Sequence, residues 1–322
     1  MERKVITVST DLHKLDFEGA AQAREKKART TSPKYLRNPL YADVIIYFIL
    51  LMLGTITVIP FINIIAYSFS SSNAIAYKPF MLWPHEFTLE AFVYLFNTGA
   101  LRKAFMISVG VTASGSFLSL FVTILAAYGL SKTYVPGNKI MMRLVLIAML
   151  FGAGLIPTFI TINRLGLVNN YAVLVLPFLV SPYNIILMRN FFWSIPQEME
   201  ESAVMDGASP PLILFNIVIP LSKAVIATIG LFYAIGHWND FYRGLFYMTD
   251  STKWPLPMLL RSIIVDNRMT GMGQPGEVQR KVVSPDNIKA STIIFATVPI
   301  LLVYPFLQKH FTKGIMIGAI KG

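Results

Sequence analysis

The side chains able to do covalent or metal chemistry are sparse in this chain, and their spacing argues against most such chemistry. The four histidines, His13, His85, His237 and His310, are spread over separate loops and ends, and none has a partner at metal-ligand spacing. No Asp or Glu occurs between Asp43 and Glu86, nor between Glu90 and Glu198. Most of the apolar chain therefore lacks the carboxylates that a proton relay, a cation site or a glycosyl-transfer pair requires. With no Cys there is no disulfide, thiolate zinc site or thiol nucleophile. Ser114, Gly115 and Ser116 lack the G-x-S-x-G frame and an accompanying base, so they read as a small-residue packing face. A G-x-x-x-x-G-K-[ST] phosphate loop is absent too; if ATP drives this protein, another chain binds it. We expect no catalytic, metal-binding or cofactor-binding residue on this chain.

One segment, Ile195 to Leu221, gathers acidic residues in a defined order: Glu198, Glu200, Glu201 and Asp206. Pro196 suits the opening of a helix, the acids suit the positive end of its dipole, and Gly207 permits a left-handed stop or a close approach. The pattern predicts a short helix, a sharp turn and a second helix. An acidic connecting loop that simply stays soluble has the same composition.

The elements that must carry this segment are set by composition. Of 322 residues, 54% are hydrophobic and only 14% charged, against about 25% charged in a soluble domain. That is too little charge to cover a water-facing surface, and it predicts an all-α membrane protein crossing the bilayer several times. A spanning helix needs roughly 20 mostly apolar residues. Windows of that kind run from near Val44 to Ala66, Phe105 to Tyr128, Leu144 to Ile162, Tyr171 to Met188, Ile213 to Ile235 and Ser291 to Leu307, about six in all. Prolines in or beside them, such as Pro60, Pro157, Pro177 and Pro220, predict kinked helices around a path.

Lys and Arg (28) outnumber Asp and Glu (17), for a net charge of +11. In a membrane chain this excess marks cytoplasmic loops rather than a nucleic-acid partner. Residues 1–42 carry Arg3, Lys4, Lys14, Arg24, Lys26, Lys27, Arg29, Lys34 and Arg37, and the loop after the second window adds Lys132, Lys139 and Arg143. Both termini are therefore expected in the cytoplasm, with a basic N-terminal extension over 1–42 and a transmembrane domain over 43–322. The extension fits a solvated tail or a contact with anionic lipid. The first window follows a long polar head and precedes no A-x-A-like site, so it reads as a retained span and not a cleaved signal.

The spacing Glu201-x-Ala203-x3-Gly207-x9-Ile217-x-Ile219-Pro220 resembles the EAA loop of membrane subunits in bacterial ATP-binding-cassette (ABC) importers, with Ser202 in place of the middle Ala. Ala126-Ala127-Tyr128-Gly129-Leu130-Ser131-Lys132, Leu165-Gly166-Leu167, Arg189-Asn190-Phe191-Phe192 and Trp238-Asn239-Asp240-Phe241 are similar to the carbohydrate-importer branch, as is the tail from Lys313 to Gly322. The resemblance implies a type I ABC importer permease fold in the bacterial inner membrane. It implies a cytoplasmic coupling loop over about 195–221 that docks on a separate ATPase subunit. ATP and Mg then reside on two such ATPase partners. Glu201, Ser202, Ala203, Met205, Asp206, Gly207 and Ala208 become the docking residues, with Glu201 pairing to a basic residue, the alanines packing closely and Gly207 turning the chain. The tail residues Lys321 and Gly322 fall where the maltose-type subunit reaches its ATPases.

A second homologous permease, giving a heterodimer, and an extracytoplasmic solute-binding protein complete the implied partners. The corresponding outward loop here, about 240–289, holds Arg268, Gly271, Gly273 and Arg280 as contacts for that binding protein. Neutral sugars are held by amide hydrogen bonds and aromatic faces, which makes Tyr183, Asn184, Trp238 and Asn239 candidates for the path. Trp238 fits an interfacial anchor equally well. The extended head and the run Tyr304-Pro305-Phe306-Leu307-Gln308-Lys309 look more like permeases for complex or acidic oligosaccharides, such as uronate-containing alginate, than like the maltose subunit. The rival readings are an ion-coupled secondary transporter and a membrane enzyme acting on lipid-linked sugars, and the missing carboxylates disfavour both.

Overall fold

The computed structural model describes residues 40–265 and 283–319, with side chains for 41–265 and 283–302. The chain divides into two units between Phe61 and Ile62. The first unit holds most of helix α1 (Leu40–Ser68), 29 residues long. At 1.5 Å per residue the helix is about 43 Å long, more than a hydrocarbon core of about 30 Å. The Thr55 and Thr57 hydroxyls donate to the carbonyls of Leu51 and Leu53 at 2.8 Å each, which satisfies both without water.

The regular structure among the described residues of the second unit is all helical. It comprises α2 (Ser72–Tyr77), α3 (Glu90–Asn97), α4 (Gly99–Ser131), α5 (Asn138–Leu150), α6 (Leu155–Arg164), a 3₁₀ segment (Tyr171–Phe178) and α7 (Pro182–Trp193). Then follow α8 (Gln197–Met205), α9 (Pro210–Leu221, with a π-turn at Leu214–Val218), α10 (Lys223–Trp238), α11 (Tyr242–Tyr247), α12 (Leu256–Ile264) and α13 (Pro285–Ala319).

Among the described residues, α1 and α4 are each long and apolar enough to cross a membrane. The pairs α5 with α6, the 3₁₀ segment with α7, and α9 with α10 pass the same test only together, bent by 112°, 48° and 87°. The bends exceed the kinks expected from proline. The window Leu144–Ile162, expected as one span, is two helices: the chain leaves α5 extended at Phe151 and re-enters helix through Gly154 at φ 77°. Between α9 and α10, Pro220 removes a backbone donor and Ser222 departs from helical geometry at ψ 11°. The second span begins at Gly99 rather than Phe105, because Leu101 and Ala104 are buried in the cluster of Tyr94, Leu95, Leu256, Leu259, Ile263 and Ile288.

Helix α4 is the axis of this unit. Its buried residues Ala104, Ser108, Gly115, Ser119, Thr123, Ala127 and Ser131 form one stripe of small side chains, the device by which membrane helices approach closely. Opposite it, Gly230 of α10 leaves room for Leu120, and a Cβ there would stand 3.1 Å from that side chain. Thr123 and the Tyr233 hydroxyl share a 2.7 Å hydrogen bond, and the same hydroxyl accepts the Ser181 N–H at 3.3 Å, so one phenol joins α4, α10 and the entry to α7. At the first end of α4, the Ser108 hydroxyl accepts the Leu256 N–H at 2.7 Å. The start of α13 is sewn to Ser68, the last residue of α1, and to Ser70 just after it: Asn287 Nδ2 donates to the Ser70 carbonyl at 2.5 Å and Ser291 Oγ to that of Ser68 at 3.2 Å.

Candidate functional site

The acidic segment folds as its residues dictate. Pro196 is the N-cap of α8, and Glu198 and Glu200 lie in its first turn, against the positive end of the helix dipole. The helix ends in a Schellman turn. Gly207, at φ 79°, donates its N–H to the Val204 carbonyl (3.0 Å), and the Ala208 N–H reaches the Ala203 carbonyl (2.9 Å). Ala203 and Ala208 are half-buried against the cluster of Met188, Phe192, Ile213 and Leu214. The two alanines thus seat the turn on the chain's own core. The outer surface is formed by Glu201, Ser202, Val204, Met205, Asp206 and Gly207, all exposed, Met205 at 87%. Glu201 accepts a 2.8 Å hydrogen bond from Gln197, and Ser202 Oγ donates to the Glu198 carbonyl at 2.6 Å. The result is a short ridge, apolar at Met205 and Val204 and acidic at Glu201 and Asp206.

Two residues that motif spacing does not single out act at the end of α4: Lys132 fixes the ridge to it and Arg189 ties α7 to it. Lys132, just past the end of α4, forms an ion pair with Glu200, and its ammonium lies 4.7 Å from the centre of the Tyr128 ring. The end of α4 is itself capped: Asn138 Nδ2 donates to the carbonyls of Gly129, Leu130 and Lys132 at 3.3, 3.1 and 2.8 Å. Arg189 of α7 donates to the Leu130 carbonyl at 3.2 Å while its guanidinium stacks 4.7 Å from Trp193. Lys132 and Arg189 were visible only as members of family-like strings; their partners lie 68 and 59 residues away.

At the other end of α10 a second polar cluster is built around His237. Its ring rests on Gly115 of α4, where a Cβ would come within 2.7 Å, and its Nδ1 lies 3.2 Å from Arg243. Arg243 is paired with Asp240, donates to the Leu174 carbonyl at 3.1 Å and sits 4.1 Å over the Phe178 ring. Burial pulls the Arg243 guanidinium below its ordinary range and Asp240 opposes that. Among the described residues no group of three or more His, Cys, Asp or Glu is placed to hold a metal ion.

The four path candidates fall on two elements. Tyr183 is exposed and Asn184 buried in the first turn of α7. Trp238 meets Phe105 edge-on at 6.0 Å and Asn239 is exposed just beyond α10. None of the four lines the apolar trough of about 570 Å³ that runs along α4 past Met106, Gly110, Ser114 and Leu118 to Tyr171 and Leu176. Arg268, Gly271, Gly273, Arg280, Lys321 and Gly322, with residues 1–39, lie outside the described residues.

The chain is helical, with helices apolar and long enough to cross a membrane, and it carries a short, exposed acidic helix turned by glycine. Residues 37–317 match the family described as binding-protein-dependent transport system inner membrane component, and the chain belongs to that family. It is 44% identical over 270 residues to Protein LplC of Bacillus subtilis (strain 168), covering 84% of this chain and 91% of LplC. It is also 44% identical over 294 residues to the polygalacturonan/rhamnogalacturonan transport system permease protein YtcP of the same organism, covering 89% and 100%. The fold matches a chain in the crystal structure of a bacterial ABC transporter involved in the import of the acidic polysaccharide alginate. The TM-score is 0.80 at 30% identity, with 87% of this chain and 100% of that chain covered. The type I permease fold expected from the sequence is the fold this chain has.

Proposed function

We propose that this chain is the permease subunit of an ATP-driven importer in the bacterial cytoplasmic membrane, moving an acidic, uronate-containing oligosaccharide delivered by a solute-binding protein. The observation that carries the reading is the exposed α8 ridge on a Gly207 Schellman turn, in a chain of the binding-protein-dependent family. Five spans with each bent pair counted once, and α13 as the sixth, place both termini in the cytoplasm and bring α8 to the cytoplasmic side with Lys132. There it docks on one of two ATPase subunits through Glu201, Met205 and Asp206. The chain itself performs no hydrolysis. A second, homologous permease completes the pathway as a heterodimer, and closure of the ATPases shifts the helices between inward-open and outward-open states. The acidic substrate is supported by the names of YtcP and of the alginate transporter. Segment 240–289 faces the binding protein, and the last residues reach the ATPases.

Co-purification in mild detergent followed by reconstitution tests the reading. The wild-type chain is expected to hold an ATPase pair and to take up a galacturonate or alginate oligosaccharide only with ATP and binding protein present. Glu201→Lys should insert normally yet hydrolyse ATP without uptake. Uptake that follows an ion gradient, in a preparation free of ATPase, would overturn the assignment.

A further inference from the structure

Helix α8 has no fully buried residue, so the way it is held decides how a push on it travels. Its C-terminal end is seated by Ala203 and Ala208 on the core. Along its length the helix instead borders an open groove of about 630 Å³, lined among others by Tyr128, Lys132, Trp193, Glu200, Glu201 and Met205. Where apolar packing would lock a structural helix in place, the Lys132–Glu200 pair crosses the gap. Both side chains are largely shielded, at 13% and 15% exposure, so water competes with the pair far less than at an open surface.

We propose that Lys132 and Glu200 are a positioning pair that transmits movement of α8 to α4, an inference that rests on α8 being the ATPase-docking element. Successive residues of a helix point about 100° apart. Glu200 therefore turns to Lys132 while Glu201, at the rim of the same groove, stays exposed, and the two adjacent acids divide the work of transmission and docking. The far side of the link is equally fixed. Asn138 caps three carbonyls at the end of α4 and Arg189 holds a fourth contact there, so a pull on Lys132 acts on the whole helix rather than fraying its last turn. Helix α4, 33 residues long, then runs past the Gly115–His237 contact near its middle and on to Gly99. It thereby links the docking face to the opposite end of the unit.

The test uses the assembled transporter in proteoliposomes, with substrate moved per ATP hydrolysed as the readout. Lys132→Gln and Glu200→Gln are expected to keep the ATPase bound but to lower that ratio about tenfold. The exchange Lys132→Glu with Glu200→Lys should restore it, a rescue that loss of packing does not give. Wild-type ratios in both single variants would overturn the proposal, as would an assembled exchange variant that stays uncoupled. Should the glutamine variants fail to assemble, the exchange decides: assembled and coupled supports the pair, and failure to assemble refutes it. Glu201→Lys serves as the reference. If it too leaves the ratio unchanged, the docking role of α8 fails; if it uncouples and the Lys132 and Glu200 variants do not, only the transmission role fails.

Discussion

The imidazole of His237 lies against the backbone of Gly115 so closely that any side chain there would overlap it, a Cβ falling 2.7 Å from two ring atoms. The contact joins α4 to α10 at the point where α10 passes into the Asp240–Arg243 cluster. Gly115→Val must push the two helices apart or turn the imidazole out of its 3.2 Å contact with Arg243. We expect a loss of about 2 kcal/mol, typical of overpacking, seen as a lower unfolding temperature of the detergent-solubilised protein. Gly110→Ala, on the same helix with nothing within 4 Å of the new Cβ, is the control. Equal melting of the two variants would show that α4 and α10 are not held at this contact.

Tyr233 makes a separate prediction, since its hydroxyl serves both Thr123 and the Ser181 N–H. Hydrogen bonds between membrane helices contribute about 0.6 kcal/mol on average and up to about 1.7. A double-mutant cycle of Thr123→Val and Tyr233→Phe should give a coupling energy in the upper part of that range, because the pair is buried. Tyr233→Phe should cost more than Thr123→Val, as it also strands the Ser181 donor. Strict additivity of the two substitutions would mean the bond adds nothing to stability.

How far these features were legible in the sequence depends on whether the interaction was local. The acids of α8, Pro196 and Gly207 lie within one segment, and helix capping rules read them directly; the Schellman turn at Gly207 is what those rules produce. Of the small residues 114–116, read as a packing face, Gly115 is buried in the stripe whereas Ser114 is exposed along the trough. The bends exceed what was expected because hydropathy windows measure length and not direction: within 144–162 only Gly152, Gly154 and Pro157 mark the break, and they do not give its angle. The partners of Lys132, Arg189 and His237 were invisible for a different reason. Each depends on residues brought together only by the packing of α4, α7 and α10. Asp240 stood beside the path candidates Trp238 and Asn239 in a string read as similar to the carbohydrate-importer branch, yet in the structure it is paired with Arg243.

That pairing can be measured. The Asp240 and Arg243 side chains are 17% and 22% exposed, and removing one charge leaves the other poorly solvated. Asp240→Asn should destabilise the protein by about 3 kcal/mol, within the range seen when a buried pair is broken. Asp240→Asn combined with Arg243→Met should recover part of that loss, since no uncompensated charge remains. Thermal unfolding in detergent reads both. A double variant no more stable than Asp240→Asn alone would show that contacts of the Arg243 guanidinium to Leu174 and Phe178 matter more than its charge.

Gly207 separates backbone from surface effects in the α8 turn. Its φ of 79° lies in the left-handed region, while a Cβ added there meets nothing within 4 Å, so a substitution is limited by backbone strain and not by space. Asn tolerates this conformation, Ala costs about 1 kcal/mol and a β-branched residue more. Gly207→Asn should therefore keep the turn and most ATPase binding, and Gly207→Val should weaken binding by reorienting α8. Gly207→Asp keeps the turn as Asn does but adds a negative charge to an already acidic exposed ridge. If Gly207 packs closely against an uncharged part of the docking cleft, the Asp carboxylate loses its water on binding and impairs transport where Asn does not. Pull-down of the ATPase, with uptake measured in the same proteoliposomes, ranks the three. The order Asn, Asp, Val for binding places Gly207 at the docking contact, whereas equal behaviour of Asn and Asp places the contact further along the helix, towards Glu201 and Met205.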